Sequence, residues 1–245
     1  MRNYFTFNGT DSRDYGLYIS GSGRIQIPDA GYEFVQIPGR PGDLIPRKPR
    51  TMNELLTYPA FIPPYYVNGA LVKYPEMVSR LRSWLLSEKG YKILVDSYDP
   101  AHYRLACFTG PTAFESTIML NAGSFELSFN CKPQRYLVDE SDAFTLAAGA
   151  TRTVSKPGFF YSEPLINVTG NGSFSVGDVE ITVAENSLTG PIAIDCRLMD
   201  CYDANGVNAN RYVAFSGYEF PVIEDGTIVD AGDVALSVNP RWYEL

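Results

Sequence analysis

Only one stretch of this 245-residue chain clearly carries apolar residues at helical spacing. Met77, Val78, Leu81, Trp84 and Leu85 recur at intervals of three and four and form one stripe, which predicts a helix over residues 75–87. Pro75 suits the first helical position and Glu76 the positive end of the helix dipole. Gly90 is the expected stop, with Lys89 and Lys92 close to the negative end. The stripe is expected to pack on a sheet with Trp84 in the core. Elsewhere the apolar runs are short, and the 21 Gly and 17 Pro are spread between them rather than clumped. Such punctuation demands many short elements and predicts a mainly β protein of the β-rich α+β kind. Residues 4–27 read as a hairpin or two short strands around Asn8-Gly9, and residues 91–95, 103–108 and 116–120 as further strands. The cleanest strand is 123–131. There Phe125, Leu127, Phe129 and Cys131 alternate with Ser124, Glu126, Ser128 and Asn130, and Lys132-Pro133 is expected to end it.

Charge divides the chain in two. Residues 1–135 hold 15 Lys/Arg against 12 Asp/Glu, a balance of +3, while residues 136–245 hold 5 against 16, a balance of −11. Halves this different predict two domains, 1–135 and 136–245. The acidic half argues against nucleic acid as a specific partner, because phosphate binding is dominated by Lys and Arg. In the second half, strand-like runs at 165–168, 173–176, 179–184, 192–196, 211–215 and 234–238 are separated by Gly170-Asn171-Gly172, Gly177-Asp178, Asn205-Gly206 and Asp225-Gly226. Turn signals this frequent predict a β-sandwich.

Residues 28–50 stand apart. Pro28, Gly31 and the run Val35-Gln36-Ile37-Pro38-Gly39-Arg40-Pro41-Gly42-Asp43-Leu44 argue against a compact helix and make an extended arm or long hairpin the expected form. A loop longer than ~12–15 residues without structure of its own is uncommon in a compact domain. Such a segment is expected to lean on a partner surface, where an arm that adds strands to a neighbouring copy would satisfy its backbone. Residues 51–72 stay ambiguous: Met52, Leu55 and Leu56 fit a short helix, while 61–67 looks extended around Pro63-Pro64.

Catalytic chemistry has little to work with. The one histidine, His102, sits in the turn-like Asp99-Pro100-Ala101-His102-Tyr103, and any Ser-His-Asp or Cys-His triad would depend on it. No clustered set of zinc ligands exists. Asp203-Ala204-Asn205-Gly206 faintly echoes a calcium loop, but Cys201 and Tyr212 stand where carboxylates are needed, so a turn is expected. Neither a phosphate-cradling glycine motif nor a cofactor signature is present. Cys107, Cys131, Cys196 and Cys201 form no CxxC pair and read as buried small apolar residues in a reducing compartment. No apolar run is long enough for a membrane span, and the N-terminus has no secretory h-region, so cytoplasmic synthesis is expected.

Several stretches, in order, resemble phage distal tail proteins. They begin with Phe5-Thr6-Phe7-Asn8-Gly9, Ser12-Arg13-Asp14-Tyr15-Gly16-Leu17 and Ile37-Pro38-Gly39-Arg40-Pro41-Gly42-Asp43-Leu44. They continue through Arg82-Ser83-Trp84-Leu85, Asp96-Ser97-Tyr98-Asp99-Pro100 and Phe129-Asn130-Cys131-Lys132-Pro133. In the second half they are Ile194-Asp195, Ser216-Gly217-Tyr218-Glu219-Phe220-Pro221 and Asn239-Pro240-Arg241-Trp242-Tyr243. One departure is Glu224-Asp225-Gly226-Thr227, where members often carry Pro-Gly-x-Asn. The resemblance implies a non-enzymatic subunit of a hexameric ring in a long non-contractile tail, found in the virion and assembled in the host cytoplasm. It implies a ring-forming N-terminal domain with a belt arm over about 28–66 and a galectin-like C-terminal sandwich. Pro38, Gly39, Arg40, Pro41, Gly42, Asp43 and Leu44 would lie in the belt that embraces the next subunit. Implied partners are further copies of the chain, the tail tube protein, the tail-tip hub protein and, in some phages, the tape measure and receptor-binding proteins. A second reading is a carbohydrate-binding module, with Trp242 and Tyr243 as the aromatic platform.

Overall fold

The computed structural model describes residues 2–20, 34–45, 51–67, 70–87, 89–110, 114–117, 122–156, 158, 160–185, 190–217 and 219–245. The backbone divides into two compact units, Met1–Arg135 with Leu245, and Tyr136–Glu244. The chain is mostly strand, with one α-helix among the described residues.

In the first unit, the Asn8-Gly9 turn folds Phe5–Phe7 back on Thr10–Asp11. Both turn residues have positive φ, 49° and 78°, the requirement of the tight turn that matches strand twist. The sheet then runs through Phe5–Phe7, Lys92–Asp96, His102–Gly110 and Ala122–Leu137. Glu54–Ile62 pairs antiparallel with that last strand over nine positions, from Gly123↔Ile62 to Cys131↔Glu54, and Tyr18–Ile19 pairs with Glu54–Ile62 in turn.

Two of these strands alternate in the same phase. Leu56, Tyr58, Ala60 and Ile62 are buried opposite Phe129, Leu127, Phe125 and Gly123, while Leu55, Thr57 and Pro59 face out. The helix, Tyr74–Ser87, covers the buried face with Met77, Leu81, Trp84 and Leu85. Trp84 stacks on Tyr15 at 4.6 Å and on Phe5 at 5.9 Å between ring centres, and Phe5 meets Phe129 edge-on at 5.5 Å. Trp84 is therefore a core residue, as its place on the stripe predicts.

Three expectations need correction. The strand that begins at residue 122 does not stop at Lys132-Pro133 but continues to Leu137. Its ladder with Glu54–Ile62 ends at Cys131, so Pro133 removes no donor from that ladder. Residues 54–62 are neither a short helix nor part of an arm. They form a nine-residue strand in their own unit, so an arm reaching to residue 66 is too long. Residues 28–33 and 46–50 of the expected arm lie outside the described residues.

The second unit holds two five-stranded antiparallel sheets. One has the order Phe144–Leu146, Ala235–Asn239, Leu165–Thr169, Ile192–Asp195, Asp200–Tyr202. The other runs Thr151–Thr153, Ile228–Asp230, Gly172–Val176, Val179–Val183, Val213–Phe215. Ile166, Ile194 and Val238 from the first sheet share one apolar cluster with Phe174, Ile181 and Val229 from the second, which makes the unit a β-sandwich. Near its edge the backbone leaves no room at Gly232. Its φ is +47°, and a Cβ there would sit 2.1 Å from the Ser173 carbonyl oxygen. Gly232→Ala should destabilise the second unit by about 2 kcal/mol or more, because the clash adds to left-handed strain. Chemical denaturation followed by Trp242 fluorescence measures it; an unchanged midpoint would contradict the close approach.

Candidate assembly interface

Residues 34–45 form a separate element. Val35–Gln36 pairs antiparallel with Asp43–Leu44, and this two-stranded sheet joins no other strand among the described residues. Its geometry follows from its sequence. Pro38 and Gly39 occupy the middle of a turn closed by the Arg40 N–H donating to the Ile37 carbonyl at 3.2 Å. Gly39 has φ +81°, so Pro-Gly supplies the fixed φ and then the positive φ that a type II turn needs. Gly42, at φ +83°, bends the chain again before Asp43.

Pro38, Gly39, Arg40, Pro41, Gly42, Asp43 and Leu44 are all exposed. So are the large apolar side chains around them: Phe34 is 63% exposed, Leu44 47% and Ile45 49%. An isolated two-stranded hairpin is at best marginally stable in water, and no residue from 34 to 45 in this one is buried. It is an apolar ribbon without a core.

The second unit contains a buried polar centre that composition does not announce. Arg241 and Asp195 form an ion pair at 2.6 Å, with both side chains about 95% buried or nearly so (6% and 5% exposed). The guanidinium also donates to the Glu163 carbonyl at 2.7 Å and the Pro164 carbonyl at 3.0 Å. One Asp195 carboxylate oxygen accepts from the backbone N–H groups of Arg197 and Leu198, both at 3.1 Å. Arg241 takes φ +50° to make this reach. The closing segment of the chain is thereby tied to the hairpin between Ile192–Asp195 and Asp200–Tyr202. Burial opposes ionisation of Asp195, but the hydrogen bonds and charge of Arg241 outweigh it and hold the carboxyl below its ordinary range.

Other candidate residues fall into structural roles. His102 Nδ1 lies 2.8 Å from Asp99, which also accepts from Arg135 at 2.6 Å. Asp203 accepts from the N–H groups of Asn205 and Val207, both at 2.8 Å, so its loop is a self-bonded turn. The Cys131, Cys196 and Cys201 thiols are pushed up to about 12 by burial, as small core residues would be; Cys107 is partly exposed. Among the described residues no group of three His, Cys, Asp or Glu side chains is placed to hold a metal. No described helix is long and apolar enough to cross a membrane.

Trp242 is 3% exposed and belongs to the sandwich core, so it cannot serve as an open sugar platform. Tyr243 is half-buried and stacks on Tyr161 at 5.7 Å. The Asp195–Arg241 pair is the feature that sequence reading misses. Nothing local in the sequence links Ile194-Asp195 to Pro240-Arg241-Trp242.

Residues 10–131 match the family model of the phage tail protein RIFT-related domain, which places that half of the chain in this family of phage tail proteins. Over its whole length the chain has the fold of a distal tail protein. It superposes on the Dit protein of phage SPP1 with a TM-score of 0.67 at 14% identity, covering 100% of this chain and 99% of that one. That structure is described as a paradigm of the hub adsorption apparatus in phages infecting Gram-positive bacteria. Chains of the phage p2 baseplate in its activated conformation also share the fold. One, with Sr, has a TM-score of 0.55 at 11% identity and covers 97% of each chain. Another, with Ca, has a TM-score of 0.55 at 10% identity and covers 98% of each. No curated protein matches the chain significantly.

Removing one partner of a buried ion pair strands the other charge. Asp195→Ala should therefore destabilise the second unit by about 3–5 kcal/mol. The depressed carboxyl also fixes the sign of the pH effect. Its contribution is complete above the unfolded Asp value of about 4 and is lost as pH falls through the lower folded value. Acid titration of the folded chain should show the second unit weakening below about pH 4, with a shallower slope in Asp195→Asn. Equal acid slopes in the two proteins would contradict the pairing.

Proposed function

We propose that this chain is the distal tail protein of a siphovirus-like phage. In this reading it forms a ring, six copies by analogy with the family, joining the tail tube to the tip or baseplate and serving as a hub for adhesion components. It acts as a structural part of the virion rather than as an enzyme. One observation carries the ring: the hairpin 34–45, whose apolar side chains are exposed and whose strands pair with nothing else described. A contact made by an arm of one copy on a different patch of the next is head-to-tail, the arrangement that closes rings. Residues 38–44 are the proposed inter-subunit belt, and the second unit is the proposed outward galectin-like sandwich. The tail tube protein, the tip hub protein and, in some assemblies, tape measure and receptor-binding proteins are the proposed neighbours. Assembly in the host cytoplasm belongs to the same proposal.

The carbohydrate-binding reading gains no support, because burial of Trp242 removes its best platform.

Replacing Ile37 and Leu44 together by Asp should leave both units folded, since the two side chains are 37% and 47% exposed and belong to neither core cluster. It should abolish closed oligomers in native mass spectrometry of the full chain. Parent and variant giving the same oligomers would remove the belt from the account.

A further inference from the structure

One end of the first unit is buried without being apolar. In the antiparallel pair Lys92–Asp96 and His102–Gly110, Arg104 stands opposite Leu94, so it shares the inward face with Leu94, Asp96 and Ala106. Leu94 and Ala106 belong to the apolar cluster of that unit, and Arg104 is only 8% exposed. The Arg104 Nε is buried and meets no hydrogen-bond acceptor among the described residues. A donor on a charged group is strongly disfavoured in that condition and calls for an acceptor.

Arg104 borders a cavity of about 10 Å³, together with Tyr58, Asp96, Asp99, His102 and two leucines. The two carboxyl groups are bonded on all four oxygens but not saturated. Asp96 accepts from the Tyr58 hydroxyl on one oxygen and, on the other, from the N–H groups of Tyr98 and Asp99 at 2.9 and 3.0 Å. Asp99 accepts from Arg135 at 2.6 Å on one oxygen, and its other oxygen lies 2.8 Å from His102 Nδ1. Burial opposes ionisation of Asp99, but the hydrogen bonds from His102 and Arg135 outweigh it and hold the carboxyl below its ordinary range. A carboxylate oxygen has two lone pairs, so both Asp96 and Asp99 keep room for a further donor.

Size and charge select the occupant. A single water needs roughly 10–15 Å³, and a halide or an organic group needs more. Asp96 and Asp99 stand against Arg104, and Asp99 is paired with Arg135, so no excess of positive charge is present to hold an anion. A metal cation would meet the Arg104 guanidinium. We propose that one water molecule binds here, accepting from the Arg104 Nε–H and donating to side-chain oxygens of Asp96 and Asp99. Three such bonds are the usual complement of a buried water. The water joins the strand His102–Gly110 to the turn that Asp96 caps, and Tyr58 brings the strand Glu54–Ile62 into the same network. This site is independent of the ring reading.

Crystals of the full-length chain that diffract well enough to place ordered waters test it. One density peak should lie within hydrogen-bond distance of Arg104 Nε and of a side-chain oxygen of Asp96 or Asp99, and it should refine as oxygen. Crystals grown in sodium bromide should give no anomalous peak at that position. Arg104→Met removes the donor and should lose the peak. Arg104 Nε bonded directly to a protein acceptor, a bromide peak in the cavity, or no peak beside an unbonded Nε would each overturn the site. A peak retained in Arg104→Met would overturn the part assigned to Arg104. If that variant does not fold, the parent crystals decide alone.

Discussion

A two-stranded ribbon with its apolar side chains in water is not a stable end state. Backbone pairing between Val35–Gln36 and Asp43–Leu44 fixes few residues, and Phe34, Leu44 and Ile45 stay exposed. Proteins resolve that deficit with a third strand, a helix or a neighbouring molecule. No further strand pairs with this ribbon among the described residues. In the proposed assembly that burial comes from a neighbouring copy.

Each compact unit, by contrast, has an apolar core of its own. In the first, strand alternation and a helical stripe meet around Phe5, Trp84 and Phe129, so the sheet has a complete core beneath the helix. In the second, two sheets share one cluster, and the Asp195–Arg241 pair locks the closing segment to a hairpin 46 residues earlier. A buried ion pair is seldom a net gain over apolar packing, but it tolerates few alternative arrangements. It suits a part whose surface must be held at a fixed angle. Two units with their own cores and a ribbon exposed between strands suit the proposed ring of identical subunits, and the phage tail family matched by residues 10–131 supplies the setting.

Much of this was legible in the sequence where the determinants are local. The helix announces itself because stripe, N-terminal Pro and terminal Gly all lie within sixteen residues of one another. The Pro38-Gly39 turn is written in two adjacent residues. The strand Glu54–Ile62 was obscured because Met52, Leu55 and Leu56 imitate a helical spacing and Pro59 interrupts the run. Its period of two, through Leu56, Tyr58, Ala60 and Ile62, decides only once a partner strand is known. Pro133 misled for the same reason: whether a missing N–H matters depends on which neighbour lies alongside. The Asp195–Arg241 pair was illegible because nothing local links two residues so far apart in the chain. Trp242 read as a possible platform because composition shows an aromatic and not its burial.

Hydrogen exchange of the amides at residues 35, 36, 43 and 44, followed as the chain is diluted from assembled to monomeric, tests the central claim most directly. The account predicts strong protection in the oligomer and near-complete loss of it in the monomer, while the amides of Glu54–Ile62 stay protected throughout. Equal protection of the ribbon in both states would show that it is stable by itself and would contradict the account.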